Sequence, residues 1–191
     1  LNSIAIGISP AYSMRTEHPT GQEYAAHLKN VARFFKVPVC EQTDVTAITK
    51  DGDIFRIDTE HGPVRARHVI WAAGEFQYPH VFPFPGAHLC HHTATIEAYG
   101  DLDGDAFTII GGYESGVDAA YHLACREKRV TLIDRECPWG DESSDPSVAL
   151  STYSFERMRD PRFKEHVTLI PDTTVTKVEQ TDSGYRVSTA D

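Results

Sequence analysis

The residues of this sequence best suited to chemistry lie in one glycine-rich stretch, FTIIGGYESG, from Phe107 to Gly116. Apolar residues before the glycines predict a short buried strand, and small, helix-forming residues after them predict a helix. Such a turn brings backbone N–H groups and a positive helix N-terminus together, which suits a diphosphate. We therefore predict nucleotide binding by the residues of this turn, Gly111, Gly112, Tyr113, Glu114, Ser115 and Gly116.

A second strand, VTLID, ends on Asp134, 18 residues after Gly116. The dinucleotide fingerprint has an acidic residue about 20 residues further on, where it accepts hydrogen bonds from a ribose. Asp134 thus favours NADH, whereas Arg135 is suited to a 2′-phosphate of NADPH or to stacking on adenine. Asp134 as a simple strand-end residue is the structural alternative. The sequence leaves the choice between NADH and NADPH open.

One residue of the turn departs from the usual fingerprint, G-x-G-x-x-G, and a second carries a charge that does not suit a phosphate site. Tyr113 occupies the position of the second glycine, which lets the backbone approach the pyrophosphate. Its side chain must point away from the turn, or it narrows the phosphate site. Glu114 carries a negative charge that would repel phosphates. We expect Glu114 to face solvent, or else to contact a ribose or the nicotinamide amide.

Composition restricts the other classes of function. The net charge of −10 disfavours nucleic acid as a partner, and no apolar run approaches the length of a membrane span. The cysteines, which form no C-x-x-C pair, fit a reducing cytoplasm. A metal site is not predicted, because the neighbouring residues His88, Cys90, His91 and His92 lack a second ligand pair at zinc spacing.

The order of elements predicts an α/β protein with a Rossmann-like nucleotide-binding domain and a partial three-layer domain, each with an antiparallel β-meander. Thr20 and Glu23 form a capping box before a helix whose apolar face we expect in the core. Two stretches share one layout, a T-x-V-T strand, a glycine turn and a second strand. They lie at 35–62 and 165–191. We predict domains at 1–98 and 99–191, the second lacking its closing strand.

Four motifs follow one another in this chain, P-T-G-x-E-Y from Pro19, A-A-G-x-x-x-x-P from Ala72, P-x-P-G from Pro83 and the glycine turn with Glu-Ser-Gly. Their order resembles the flavin-containing-monooxygenase-like branch of the pyridine nucleotide–disulfide oxidoreductases. The resemblance implies a fold that holds FAD on one domain and NADH or NADPH on the other. Hydride would pass from NAD(P)H to FAD in the intact protein, with an unidentified small-molecule substrate.

The resemblance also assigns residues outside the glycine turn. It implies that Val45 lies near the FAD adenine and that Ala73 and Gly74 lie near FAD at the domain crossover. The family's first G-x-G-x-x-G is not present in this sequence, so we expect a middle part of an oxidoreductase that binds FAD weakly or not at all. No catalytic residue is assigned. The alternative is a nucleotide-binding module without activity, and the sequence leaves open whether the protein forms a homo-oligomer.

Overall fold

A computed structural model describes residues 13–16, 19–74, 79–136, 138–140, 143, 145 and 148–190. The chain divides into two compact units, Leu1–Ala72 and Ala73–Asp191. The fold class is α/β, as predicted, and the described residues form one parallel and two antiparallel sheets. The assignment of 1–98 and 99–191 to two functional domains stays a prediction.

In the first unit, helix α1 (Gly21–Phe34) begins at the predicted capping box. The Thr20 amide donates to Glu23 Oε2 at 2.8 Å, and the Glu23 amide donates to Thr20 Oγ1 at 3.3 Å. The prediction that its apolar face lies in the core is wrong, since Leu28 is 49% exposed and Phe35 57% exposed. Periodicity identifies the apolar face of a helix, but another layer must cover that face to bury it.

Three strands follow in an antiparallel meander, β1 (Val45–Asp51), β2 (Ile54–Thr59) and β3 (Val64–Ala66). The apolar run HVIWAAG, whose composition is typical of a buried strand, has no strand structure in residues 68–74. Ile70 is 91% exposed. A continuous apolar run forms a buried strand only where neighbouring strands receive its hydrogen bonds, and none of the described strands pairs with it.

The second unit is built on a parallel sheet in the order β4 (Ala106–Ile110), β5 (Arg129–Ile133) and β6 (Val167–Ile170). Helix α2 (Glu114–Ala124) connects β4 to β5 and buries its small and aliphatic residues against the sheet. Two short helices, α3 (Thr152–Arg159) and α4 (Pro161–His166), lead from β5 to β6. Their shared core consists of Val117, Ala120, Leu123, Val130, Leu132, Leu150 and Phe163.

The strands β7 (Val175–Thr181) and β8 (Gly184–Thr189) form an antiparallel hairpin that confirms the predicted internal repeat. The β1–β2 and β7–β8 hairpins carry a register shift at the same place, after Val45 and after Val175. In each, a threonine hydroxyl donates to the opposite strand, Thr46 to Asp58 O at 3.3 Å and Thr176 to Ser188 O at 3.2 Å. The repeat therefore extends to individual hydrogen bonds.

The proline-rich stretch that contains Pro83 and Pro85 packs on this hairpin. The Val178 amide donates to Pro85 O at 3.0 Å. Gly86 has φ 85°, and a methyl group there would overlap the Val178 carbonyl. Glycine is therefore required at this contact, because only it combines a left-handed conformation with so close an approach. Within the described residues, no helix is both long and apolar enough to cross a bilayer.

Candidate nucleotide-binding site

The glycine turn joins β4 to α2, as the sequence predicted, and it packs closely against the start of the helix. Gly111 has φ 103°, and its amide donates to Ile133 O at 2.9 Å. A methyl group on Gly116 would overlap the carbonyl oxygen of Gly111 and lie 2.9 Å from its carbonyl carbon. The first and last glycines of the motif therefore allow the turn to lie directly against the helix.

The turn ends at the uncapped N-terminus of α2. Tyr113 is the N-cap residue, and its side chain makes no cap hydrogen bond. The first-turn amides of a helix have no intrahelical acceptor, and the helix dipole adds positive potential there. Ser115 is exposed, so the first turn of α2 is open to solvent on that side. The arrangement has the features of an anion site at a helix N-terminus.

Gly112 is buried between Asp134 and Trp139. Its amide donates to Asp134 Oδ2 at 2.6 Å, and its carbonyl accepts from Trp139 Nε1 at 2.9 Å. A methyl group at this position would lie 2.5 Å from Trp139 Cζ2 and 2.9 Å from Asp134 Cβ. The fingerprint assigns no glycine here, so the motif predicts neither this close contact nor the part that Trp139 plays in it.

Asp134 closes the turn from the end of β5. Besides the Gly112 amide, its carboxylate accepts from the Glu136 amide at 2.7 Å on Oδ1. Each carboxylate oxygen has two acceptor positions, so a ribose hydroxyl could still bind either oxygen. Arg135 is exposed, with its Nε 3.1 Å from Glu136 Oε1. Exposed ion pairs of this kind contribute little to stability, which leaves the guanidinium available to a ligand.

Tyr113 and Glu114 both bind the segment around the start of α3. The Tyr113 hydroxyl donates to Ala149 O at 3.0 Å. Glu114 Oε1 accepts from the Ser151 amide at 2.5 Å, and Glu114 Oε2 accepts from the Ser151 and Ser154 hydroxyls. The expectation that the Glu114 carboxylate faces solvent is therefore wrong, and its contact with a nucleotide stays a prediction. Its carboxylate caps α3, where the helix dipole and three donors stabilise the negative charge.

An ion pair completes the contact between α2 and α3. Arg157 of α3 pairs with Asp118 of α2 and lies over the rings of Tyr121 and Tyr153, at 5.3 and 4.3 Å from their centroids. Its side chain is only 12% exposed. Burial lowers the pKa of Arg157, and the negative charge of Glu114 opposes that shift. The same carboxylate thus supports both the cap and the buried cation.

The FAD-side residues implied by the family resemblance stay predictions. Val45 begins β1 in the first unit and is 46% exposed. Ala73 is half-buried, and Gly74 has φ 82°, a left-handed conformation that suits glycine.

Among the described residues, no group of three or more histidine, cysteine or acidic side chains has the arrangement of a metal site. Partial burial raises the pKa of Cys90, one of the residues considered as a ligand.

Two proteins of known sequence are similar to part of this chain. The chain is 29% identical over 111 residues to the "Uncharacterized oxidoreductase CzcO-like" of Geobacillus kaustophilus, covering 56% of this chain and 32% of that protein. It is 26% identical over 119 residues to the "Uncharacterized oxidoreductase CzcO" of Bacillus velezensis, covering 60% and 34%. The matched part thus spans about a third of these curated relatives.

Solved structures show the same fold. Bacillithiol disulfide reductase from Bacillus cereus superposes with a TM-score of 0.66 at 22% identity, covering 92% of this chain and 56% of that one. The flavin-containing monooxygenase from Stenotrophomonas maltophilia superposes with a TM-score of 0.64 at 17% identity, covering 93% and 56%. The family model described as pyridine nucleotide-disulphide oxidoreductase matches residues 1–191. This chain therefore belongs to the pyridine nucleotide-disulphide oxidoreductase family.

Proposed function

We propose that this chain is the nicotinamide-nucleotide-binding segment of a flavin-dependent, monooxygenase-like oxidoreductase. The observation that carries the proposal is the contact of Gly111 with Gly116 at the uncapped N-terminus of α2. A side chain at Gly116 would occupy the space in which the turn contacts the helix. The family membership supports an oxidoreductase, and the geometry of the turn supports the binding of a diphosphate.

Each part of the turn has a separate task in this proposal. The first-turn amides of α2 bind the diphosphate of NADH or NADPH, and Gly116 permits the approach. Asp134 holds the Gly112 amide at 2.6 Å and offers its remaining acceptor positions to a ribose. Glu114 keeps its charge on α3, which reduces its repulsion of the phosphates. In the intact protein, the bound nicotinamide supplies a hydride that FAD accepts.

The second candidate is a nucleotide-binding module without chemistry of its own. The observation in its favour is that Asp134 and Glu114, the acidic residues of the site, are both held by hydrogen bonds to the chain. These contacts suit residues that bind and position a nucleotide. The two candidates share the same nucleotide site and differ in whether a hydride leaves the nucleotide.

Titration of the 191-residue chain with NADH and with NADPH, followed by calorimetry, tests the shared site. We expect saturable binding of at least one nucleotide, and no binding of either at millimolar concentration refutes the proposal. Oxidation of the bound nucleotide is then followed at 340 nm with added FAD and oxygen. Turnover supports the oxidoreductase, whereas binding without turnover in the full-length protein supports the module. Flavin absorbance that co-purifies with this chain would contradict the expected weak binding of FAD.

A further inference from the structure

Trp139 lies against the glycine turn from a part of the chain that the fingerprint does not include. It belongs to a short 3-10 turn, Pro138–Gly140, which follows β5. Its indole Nε1–H donates to Gly112 O at 2.9 Å. The same ring packs against the core between the sheet and α2, and its edge faces Gly112 so closely that a methyl group there would overlap it. The indole is thus fixed on both sides.

These contacts fix the orientation of two successive peptide groups, the one between Gly111 and Gly112 and the one between Gly112 and Tyr113. In a trans peptide the C=O and the N–H point in opposite directions. The Gly112 amide points to Asp134, so the Gly111 carbonyl points to the other side, where it contacts Gly116. The Gly112 carbonyl points to Trp139, so the Tyr113 N–H points away from the indole.

The orientation of the second peptide matters because glycine offers little resistance to a change. Gly112 has no Cβ, so its backbone can adopt conformations closed to other residues. Rotation of the peptide between Gly112 and Tyr113 would exchange the C=O and the N–H. A carbonyl dipole would then face a bound anion in place of an amide, which is unfavourable. A donor on the carbonyl side prevents this exchange.

We propose that Trp139 is a positioning residue for the diphosphate of the nucleotide. Its indole N–H holds the peptide between Gly112 and Tyr113 in one orientation. In that orientation the Tyr113 N–H, and not the Gly112 C=O, faces the bound diphosphate. This inference rests on the proposed nucleotide-binding function and extends it to a residue outside the glycine motif. Trp139 acts through the backbone and makes no contact with the reacting atoms.

The test uses Trp139→Phe, which keeps an aromatic ring and removes the N–H donor. Trp71→Phe is the matched control, because Trp71 is 61% exposed and belongs to the first unit. Affinities for ADP, NADH and adenosine are measured by calorimetry. We expect Trp139→Phe to lower the affinity for ADP and for NADH about three- to tenfold, which corresponds to the loss of one hydrogen bond. Adenosine, which lacks phosphates, should bind as before, and Trp71→Phe should behave as the wild type.

Two results would overturn the inference while the proposed function stands. One is unchanged affinity for ADP in a folded Trp139→Phe variant. The other is an equal loss for adenosine and ADP, which would mean that the ring supports the base. Absence of ADP and NADH binding by the wild type would refute the proposed function itself.

A second measurement applies if Trp139→Phe does not fold. The sequence has two tryptophans, so Trp139 is the single indole in the Trp71→Phe variant. Saturation with ADP should change its emission, since the diphosphate binds beside the peptide that the indole holds. Unchanged emission at saturating ADP would overturn the role of Trp139.

Discussion

Replacement of Gly116 by alanine tests the close packing on which the nucleotide site depends. The new methyl group would overlap the carbonyl oxygen of Gly111 and lie 2.9 Å from its carbonyl carbon. Carbon atoms in favourable contact are about 3.5–4.0 Å apart. The turn and the helix would therefore have to separate by at least roughly 0.6 Å to relieve the contact with the carbonyl carbon, and by more to relieve the closer overlap with the oxygen. Neither contact atom can rotate away, because both belong to the backbone.

The expected loss of stability combines two opposing effects. Overpacking of a closely packed site costs about 1–3 kcal/mol. Alanine in place of glycine inside a helix returns about 1 kcal/mol. Because the contact is with backbone, we expect a net decrease of about 1–2 kcal/mol in the free energy of unfolding. The displaced first turn should also bind NADH or NADPH at least tenfold more weakly, since about 1.4 kcal/mol of lost hydrogen bonding gives that factor.

Urea unfolding and calorimetric titration measure these two effects on the same preparations. Gly21→Ala is the matched control, because a methyl group at Gly21 meets no atom within 4 Å. We expect this control to bind nucleotide as the wild type does and to show no loss of stability. If Gly116→Ala equals Gly21→Ala in both measurements, the turn does not depend on this contact and the reasoning fails.

Three further changes give distinct results. Glu114→Gln should lower stability by about 1 kcal/mol in urea unfolding, because it weakens the cap on α3, while NADH affinity should not fall, since a negative charge is removed. Asp160→Asn should destabilise the protein in urea unfolding at pH 7, because hydrogen bonds from Arg162 lower the pKa of Asp160 to about 2. Arg135→Ala should weaken NADPH roughly three- to tenfold more than NADH in calorimetry, if the guanidinium binds the 2′-phosphate.

Each of these changes has an outcome that contradicts its reasoning. A higher free energy of unfolding for Glu114→Gln than for the wild type would show that the Glu114 carboxylate destabilises the protein more than its hydrogen bonds to α3 stabilise it. A carboxyl with a lowered pKa stabilises the fold above its unfolded pKa of about 3.9, and the contribution is lost as the pH falls towards 2. The effect of Asp160→Asn should therefore shrink between pH 4 and pH 2, and a constant effect would contradict the assignment. If Arg135→Ala loses equal affinity for NADH and NADPH, Arg135 does not bind the 2′-phosphate.

Local patterns in the sequence were sufficient for the elements of the candidate site. The strand before Gly111, the helix after it and the strand ending on Asp134 all follow from apolar runs and glycine positions. The capping box of Thr20 and Glu23 also depends only on residues three positions apart. Such features are determined by neighbours in the chain, so spacing alone identifies them.

Contacts between distant residues required the tertiary structure. Glu114 binds Ser151, which is 37 residues away, and Trp139 binds Gly112, which is 27 residues away. The exposure of Leu28 and Ile70 likewise depends on which layers are present to cover them. The sequence by itself determined that a glycine turn joins a strand to a helix beside an acidic residue. Only the folded chain decided which donors orient that turn, because a hydrogen bond depends on where its two partners meet in space and not on their separation in sequence.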